Sequence, residues 1–245
     1  MIPLQPRTVP ALRGWQWIAE GFRILARYPL PWLLLCAVLW TLSSLLARVP
    51  HIGVPLTLLL TPLFLAGLML ACRGQEQGRA PQPQDLFAGF LTNAAALATA
   101  GGINMVAQIV IGGLVALVGA EHIGAFNASM SQPTNPEIVS QLWQRLMPLF
   151  LAAAALALPV VLIMWFTPAL LVFNPMTAMQ ALQLSFIGCV RNVPALFLYS
   201  TVVFLLLALA LLTPFAVGLL LLLPLLVTSA YASYKDVFSV NRGPE

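Results

Sequence analysis

Residues 12–47 read LRGWQWIAEGFRILARYPLPWLLLCAVLWTLSSLLA, and two patterns lie end to end in them. From Leu12 to Arg27 the pattern is helical and amphipathic: Leu12, Trp15, Ala19, Phe22 and Ala26 form one stripe, and Arg13, Gln16, Glu20, Arg23 and Arg27 another. From Leu30 to Ala47 the run is apolar and uncharged. At about 1.5 Å per residue it approaches the roughly 30 Å of a hydrocarbon core, with help from its flanks. An arginine-striped helix that leads into such a run predicts an elbow on a membrane surface. Its Arg13, Arg23 and Arg27 would face lipid phosphates or a partner, and Trp15 and Trp17 would suit the headgroup region.

Outward from this stretch the apolar run recurs as Ile52 to Cys72, Phe90 to Val118, Leu146 to Phe173, Pro194 to Leu212 and Phe215 to Tyr234. Lipid offers no partners to backbone groups, so each must be a helix. The composition agrees, with 60% hydrophobic and 7% charged residues, too few polar side chains to cover a water-exposed globule. The expectation is an all-α polytopic membrane protein of six transmembrane helices in a single integral domain. It divides into an elbow over 1–29, a hairpin over 30–72, a loop and elbow over 73–89, a second hairpin over 90–173 with an outer connection at 120–145, an elbow over 174–193, a third hairpin over 194–234 and a tail over 235–245. Within the outer connection, Thr134, Asn135, Pro136 and Glu137 make a helix start, read as a short interfacial helix leading into the fourth span.

Basic residues set the orientation. Arg7, Arg13, Arg23, Arg27, Arg73, Arg79, Arg191, Lys235 and Arg242 fall on one side of a six-span arrangement, and only Arg48 and Arg145 on the other. The positive-inside rule then places both termini in the cytoplasm. The net charge of +4 is scattered at span ends and not gathered on one soluble face, which argues against nucleic acid as a partner. The first apolar run begins too far into the chain for a cleavable signal peptide.

A threefold echo organises the chain. The segments Gly21 to Pro29, Leu86 to Asn93 and Leu184 to Pro194 each precede a pair of spans. The third carries its own helix start, with Asn174 before Pro175. Three elbow-plus-hairpin units reaching in from one side form a parallel repeat, unlike the inverted repeats that accompany alternating access.

The run from Gly14 to Trp32, with Asp85 to Phe90, Ser185 to Pro194 and the closing Tyr234 to Phe238, resembles a family of uncharacterised bacterial inner-membrane proteins. Those proteins are similar in turn to the membrane-anchor region of glycerophosphodiester phosphodiesterases. The resemblance covers nearly the whole chain and implies the bacterial inner membrane as its place. The phosphodiesterase catalytic domain has no counterpart here, so its activity does not carry over.

Chemistry-bearing residues are sparse. The spans hold no Asp, Glu, Lys or Arg away from their ends, and His51 and His122 sit on outer connections, with Glu121 beside the second. Three cysteines show neither CxxC nor Cys/His spacing, so neither a metal site nor a cofactor is expected. The third span is the most polar: Asn104 and Gln108 share one face, where they either bond a neighbouring helix, the commoner role, or line a small cavity. Gly112 and Gly113 give it small faces for close helix packing, which suggests the centre of the bundle. Pro62, Pro159, Pro168 and Pro224 should kink their helices.

Two functions follow as expectations. The first is a non-enzymatic membrane protein that organises or assists envelope components through contacts with membrane lipids, a membrane-protein partner or a second copy of itself. The alternative is a transporter or carrier of a neutral or lipidic small molecule, which a mid-membrane cavity lined by Asn104 and Gln108 would favour.

Overall fold

The computed structural model describes residues 4–130, 136–212 and 218–238; residues 121–130, 136–139, 141–142 and 145 are described by backbone alone. Helix α1, Arg13–Arg27, is the first elbow, followed by the spans α2, Pro29–Ala47, and α3, Gly53–Glu76. A 3-10 helix, Pro83–Phe90, is the second elbow, followed by α4, Ala94–Met130, α5, Pro136–Trp165, and α6, Thr167–Phe173. The third elbow is α7, Ala178–Arg191, followed by α8, Val193–Leu212, and α9, Gly218–Phe238. Among the described residues there is no strand, and six segments are long and apolar enough to cross a membrane. α5 and α6 together make the fourth. Each elbow thus precedes two spans, in the expected order.

Local chemistry explains the breaks. Tyr28, with φ −143°, ends α1, and prolines at the first positions of α2 restart the helix in a new direction. The second elbow starts with a reciprocal cap between Gln82 and Asp85. It ends before Asn93, whose φ of 51° falls in the left-handed region that asparagine tolerates. The start of α7 differs from expectation: Thr177 and Gln180 form its capping box, while Asn174 ends α6 and bonds the Tyr234 hydroxyl at 3.0 Å.

Two larger expectations fail. The described residues of the outer connection are helical, because α4 runs unbroken through Ala120 to Met130 and α5 runs from Pro136 straight into the span, with no separate interfacial helix among them. No proline lies between Ala94 and Met130 to stop α4. Its 37 residues would extend about 55 Å, well beyond a core of roughly 30 Å. Thr134 and Asn135 lie outside the described residues.

The centre of the bundle is α3, not the third span. α3 packs on α2, the second elbow, α4, α6 and α9. It buries 44% of its most apolar window, against 11% for the third span. The close approaches follow. A Cβ at Gly101 would run into the Leu59 carbonyl oxygen and one at Gly67 would meet the Asp85 oxygen at 2.5 Å, whereas at Gly112 or Gly113 it would meet none of the described residues within 4 Å. Among the described residues, Gly112 and Gly113 therefore mark no close approach of another element, and this stretch of α4 turns away from α3.

The core gathers at the elbow end. Trp17, Trp32, Leu68, Leu86, Phe166 and Leu170 are among its most buried members. Toward the other end α4, α5 and α8 expose Val110, Leu117, Leu151, Leu158, Leu205 and Leu212, an apolar surface suited to lipid or to another membrane helix.

Candidate functional site

The site begins with a break in the fourth span. Pro168 has no N–H to offer the carbonyl of Met164 and its ring crowds that turn. The helix is interrupted between Trp165 and Thr167. Ser185 of α7 repairs the next gap: its hydroxyl accepts from the Phe166 N–H at 2.9 Å and donates to the Leu162 carbonyl at 2.9 Å, standing in for the missing bond between those residues. Ser185 is fully buried. Inserting a side chain into the helical ladder is a sufficient cause of a sharp kink.

Beside the kink lies a cavity of about 570 Å³ between α3, α4, α5, α6, α8 and α9. Its wall is mostly aliphatic, with Leu65, Met69, Val160, Val203 and Val227, and carries few polar groups: Asn104, Gln108, Trp165, Tyr199 and Ser200. None of the lining residues is charged. Asn104 does both things open to it, since its Nδ2 donates to the Leu58 carbonyl at 3.4 Å and the residue also lines the cavity, beside Gln108. Tyr199 shares a hydrogen bond with Ser229 at 2.8 Å. Its ring stands edge-on to Trp165, with centroids 5.5 Å apart. The indole Nε1 of Trp165 is buried and has no hydrogen-bond partner among the described residues.

Asn104 lies ten residues into α4 and Trp165 eight residues before the end of α6, so both stand about 12–15 Å into the membrane from the elbow end. Val161 on α5 and Phe204 and Leu207 on α8 line the cavity and are exposed. α5 packs on α4 and α7 while α8 packs on α1 and α9, and the cavity opens sideways, toward lipid, between these two groups.

The first elbow is built differently from expectation. α1 has three faces, about 120° apart at 100° per residue. Gly14, Trp17, Ile18, Gly21 and Leu25 are buried against α8 and α9. Leu12, Trp15 and Phe22 are exposed apolar side chains, and Arg23 and Arg27 lie exposed on the third face. Two expectations are corrected here. Trp17 is fully buried, its Nε1 donating to Asp236 at 2.8 Å, so it lies away from headgroups. Arg13 bonds Asp236, Gln16 and Glu20, and Arg7 also bonds Asp236, so the buried carboxylate takes up the charge offered to lipid. Trp15, Arg23 and Arg27 remain exposed, the Arg27 guanidinium lying 5.8 Å from the centre of the Tyr28 ring.

Sequence reasoning missed Asp236, Ser185 and Trp165. Pro168 marked the kink, but no local pattern says which serine would fill the gap. Cys189, also on α7, is buried, and burial pushes its thiol up to about 12, which disfavours the thiolate at neutral pH. The side chains of Glu121 and His122 lie outside what the structure describes.

A probable inner membrane protein of Burkholderia thailandensis is 31% identical over 240 residues, covering 91% of this chain and 82% of that protein. The chain belongs to the same inner-membrane protein family. No family model matches it, and no solved structure does. These comparisons place the protein in the inner membrane and draw no link to the phosphodiesterase anchors.

Proposed function

We propose that this inner-membrane protein is a non-enzymatic lipid binder that takes the apolar part of a lipid sideways into the cavity between α5 and α8, and so holds or carries it within the bilayer. The observation behind this reading is the cavity at mid-membrane depth, lined by Asn104 and Gln108 and bordered by exposed apolar side chains. Its volume falls in the roughly 300–1,000 Å³ of small-molecule sites, as does its aliphatic wall with a few placed polar groups.

Native mass spectrometry of the protein extracted in mild detergent should find a lipid bound, and Val203→Phe, which fills the cavity, should lose it. A Val203→Phe protein that folds and retains the same lipid would exclude the cavity as its site.

A second reading, contact with envelope components through the elbows, is favoured by Trp15, Arg23 and Arg27 standing exposed on one helix. The two readings are compatible, since both put the elbow end at a membrane face. That face is the cytoplasmic one by the excess of basic residues. Reporter fusions after residues 80 and 240 should then read cytoplasmic, and external activity at either site would reverse the orientation.

A further inference from the structure

A small pocket of about 150 Å³ lies between the last turns of α1 and α3, lined by Arg23, Ile24, Arg27, Gln75 and Glu76. Two of its polar side chains are already answered. Gln75 is buried and spends both ends of its amide, accepting from Trp32 and donating to the Ile24 carbonyl. Glu76 pairs with Lys235 and accepts from the Tyr231 hydroxyl at 2.8 Å. The arginines are left over. Arg7, Arg13, Arg79 and Lys235 at the same end each have a carboxylate, whereas neither Arg23 nor Arg27 has a hydrogen bond or ion pair among the described residues. They stand one turn apart on one face of α1, which sets their Cβ atoms about 6 Å from each other. Like charges at that spacing repel, and an anion held between them would turn the repulsion into attraction.

We infer that this pocket seats the phosphate of one anionic phospholipid, with the guanidinium groups of Arg23 and Arg27 as its donors. This rests on the second reading above, contact through the elbows, and names the ligand for it. The size fits: a cavity of this volume elsewhere holds a benzene ring, and the five heavy atoms of a phosphate need no more. The donors fit, because a guanidinium fork meets two phosphate oxygens at once. The depth fits as well, since Glu76 is the last residue of α3 and the pocket therefore lies at headgroup level. Phe22, beside Arg23, and Leu30, at the start of α2, are exposed. They give acyl chains a surface next to the phosphate, which favours a lipid over a soluble anion. A seated phosphate differs from the diffuse attraction of a basic surface in needing the forks and not the charge alone.

The test uses the full-length protein in mild detergent and three probes: phosphatidylglycerol, diacylglycerol with the same chains, and inorganic phosphate. The cavity beside the kink would take the chains of the first two alike, so the difference between them reports the headgroup. The native protein should bind one phosphatidylglycerol about tenfold more tightly than diacylglycerol, the worth of one charge-assisted hydrogen bond, and inorganic phosphate far more weakly than the phospholipid. Arg23→Lys with Arg27→Lys keeps both charges and loses both forks; it should cut that preference about fivefold. The corresponding Gln double variant should abolish it. Both side chains are exposed, so neither variant strips the core. A Lys variant that binds as the native protein does, while the Gln variant fails, would overturn the seated phosphate and leave contact through the elbows, carried by charge alone. A preference retained in both variants, or absent from the native protein, would remove these arginines as a lipid contact altogether. Inorganic phosphate bound as tightly as the phospholipid would make a soluble phosphate the occupant and overturn the lipid assignment.

Discussion

The elbow end and the far end of the bundle are held together by different physics. At the elbow end, buried polar side chains join elements distant in sequence. Asp236 of α9 receives Arg7, Arg13 and Trp17; Gln75 of α3 accepts from Trp32 and donates to the Ile24 carbonyl; Asn192 accepts from the Val9 N–H and donates to the Arg7 carbonyl. At the far end, leucines and valines of α4, α5 and α8 are exposed, and Gly112 and Gly113 have no neighbour within 4 Å of an added Cβ. Lipid tails are as apolar as leucine, so burial gives helices in a membrane little reason to associate, and close packing with hydrogen bonds must do it instead. The elbow end supplies both, and it fixes the fold. The far end is free of that duty, and the cavity opens where the two regimes meet.

If this division is right, the most damaging single change lies in the elbow ties. Asp236 is almost fully buried while Arg7 is more than half exposed. Asp236→Asn should cost about 3 kcal/mol, the low end for breaking a buried pair, because Arg7 can turn to water. Thermal unfolding in detergent would register it, and a melting temperature within a degree of the native protein's would mean that the ties are ornamental.

The comparison is sharpest on a single helix. Gly101 and Gly112 both lie in α4, eleven residues apart, yet only the first touches another backbone. Gly101→Leu should destabilise by about 2 kcal/mol through overpacking against Leu59, whereas Gly112→Leu should stay within about 0.5 kcal/mol, as for an open surface site. Equal losses at the two positions would show that the far half of α4 is packed, against a partner or a second copy.

Much of this architecture was legible in the sequence. Runs of apolar residues long enough to span, arginines before them and prolines at their starts are local signals, and they mark six spans and three elbows. Their partners are not local. Nothing around Asp236 announces that it accepts from Trp17, more than two hundred positions away, so a tryptophan next to arginines looked interfacial while its ring closes the core. The centre of the bundle was misplaced for a similar reason. Small residues permit close packing but do not cause it, and Gly112 and Gly113 sit beyond the point where α4 parts from α3. Asn104 and Gln108 were visible as a polar face, but the cavity they line depends on a kink that needs Ser185 from another helix.

The smallest expected effect lies on the outer face of α1, where the two ends of the comparison meet the lipid. Arg13 is taken up by Asp236, which leaves Arg23 and Arg27 as the exposed cations of the elbow, beside the exposed apolar side chains of Trp15 and Phe22. An elbow lying in the interface would turn the apolar face toward the acyl chains and the arginines toward the headgroups. Each arginine should then contribute about 1 kcal/mol of attraction to an anionic surface, weakened by salt. Replacing both with Gln removes no contact of the core, so melting should be unchanged. What should fall is the enrichment of anionic over neutral lipid around the protein in mixed vesicles, measured with spin-labelled lipids, and the difference should fade in high salt. If instead the double variant kept the native lipid preference and lost stability, the third face of α1 would belong to the fold, and the elbow end would be packed more completely than its exposed arginines suggest.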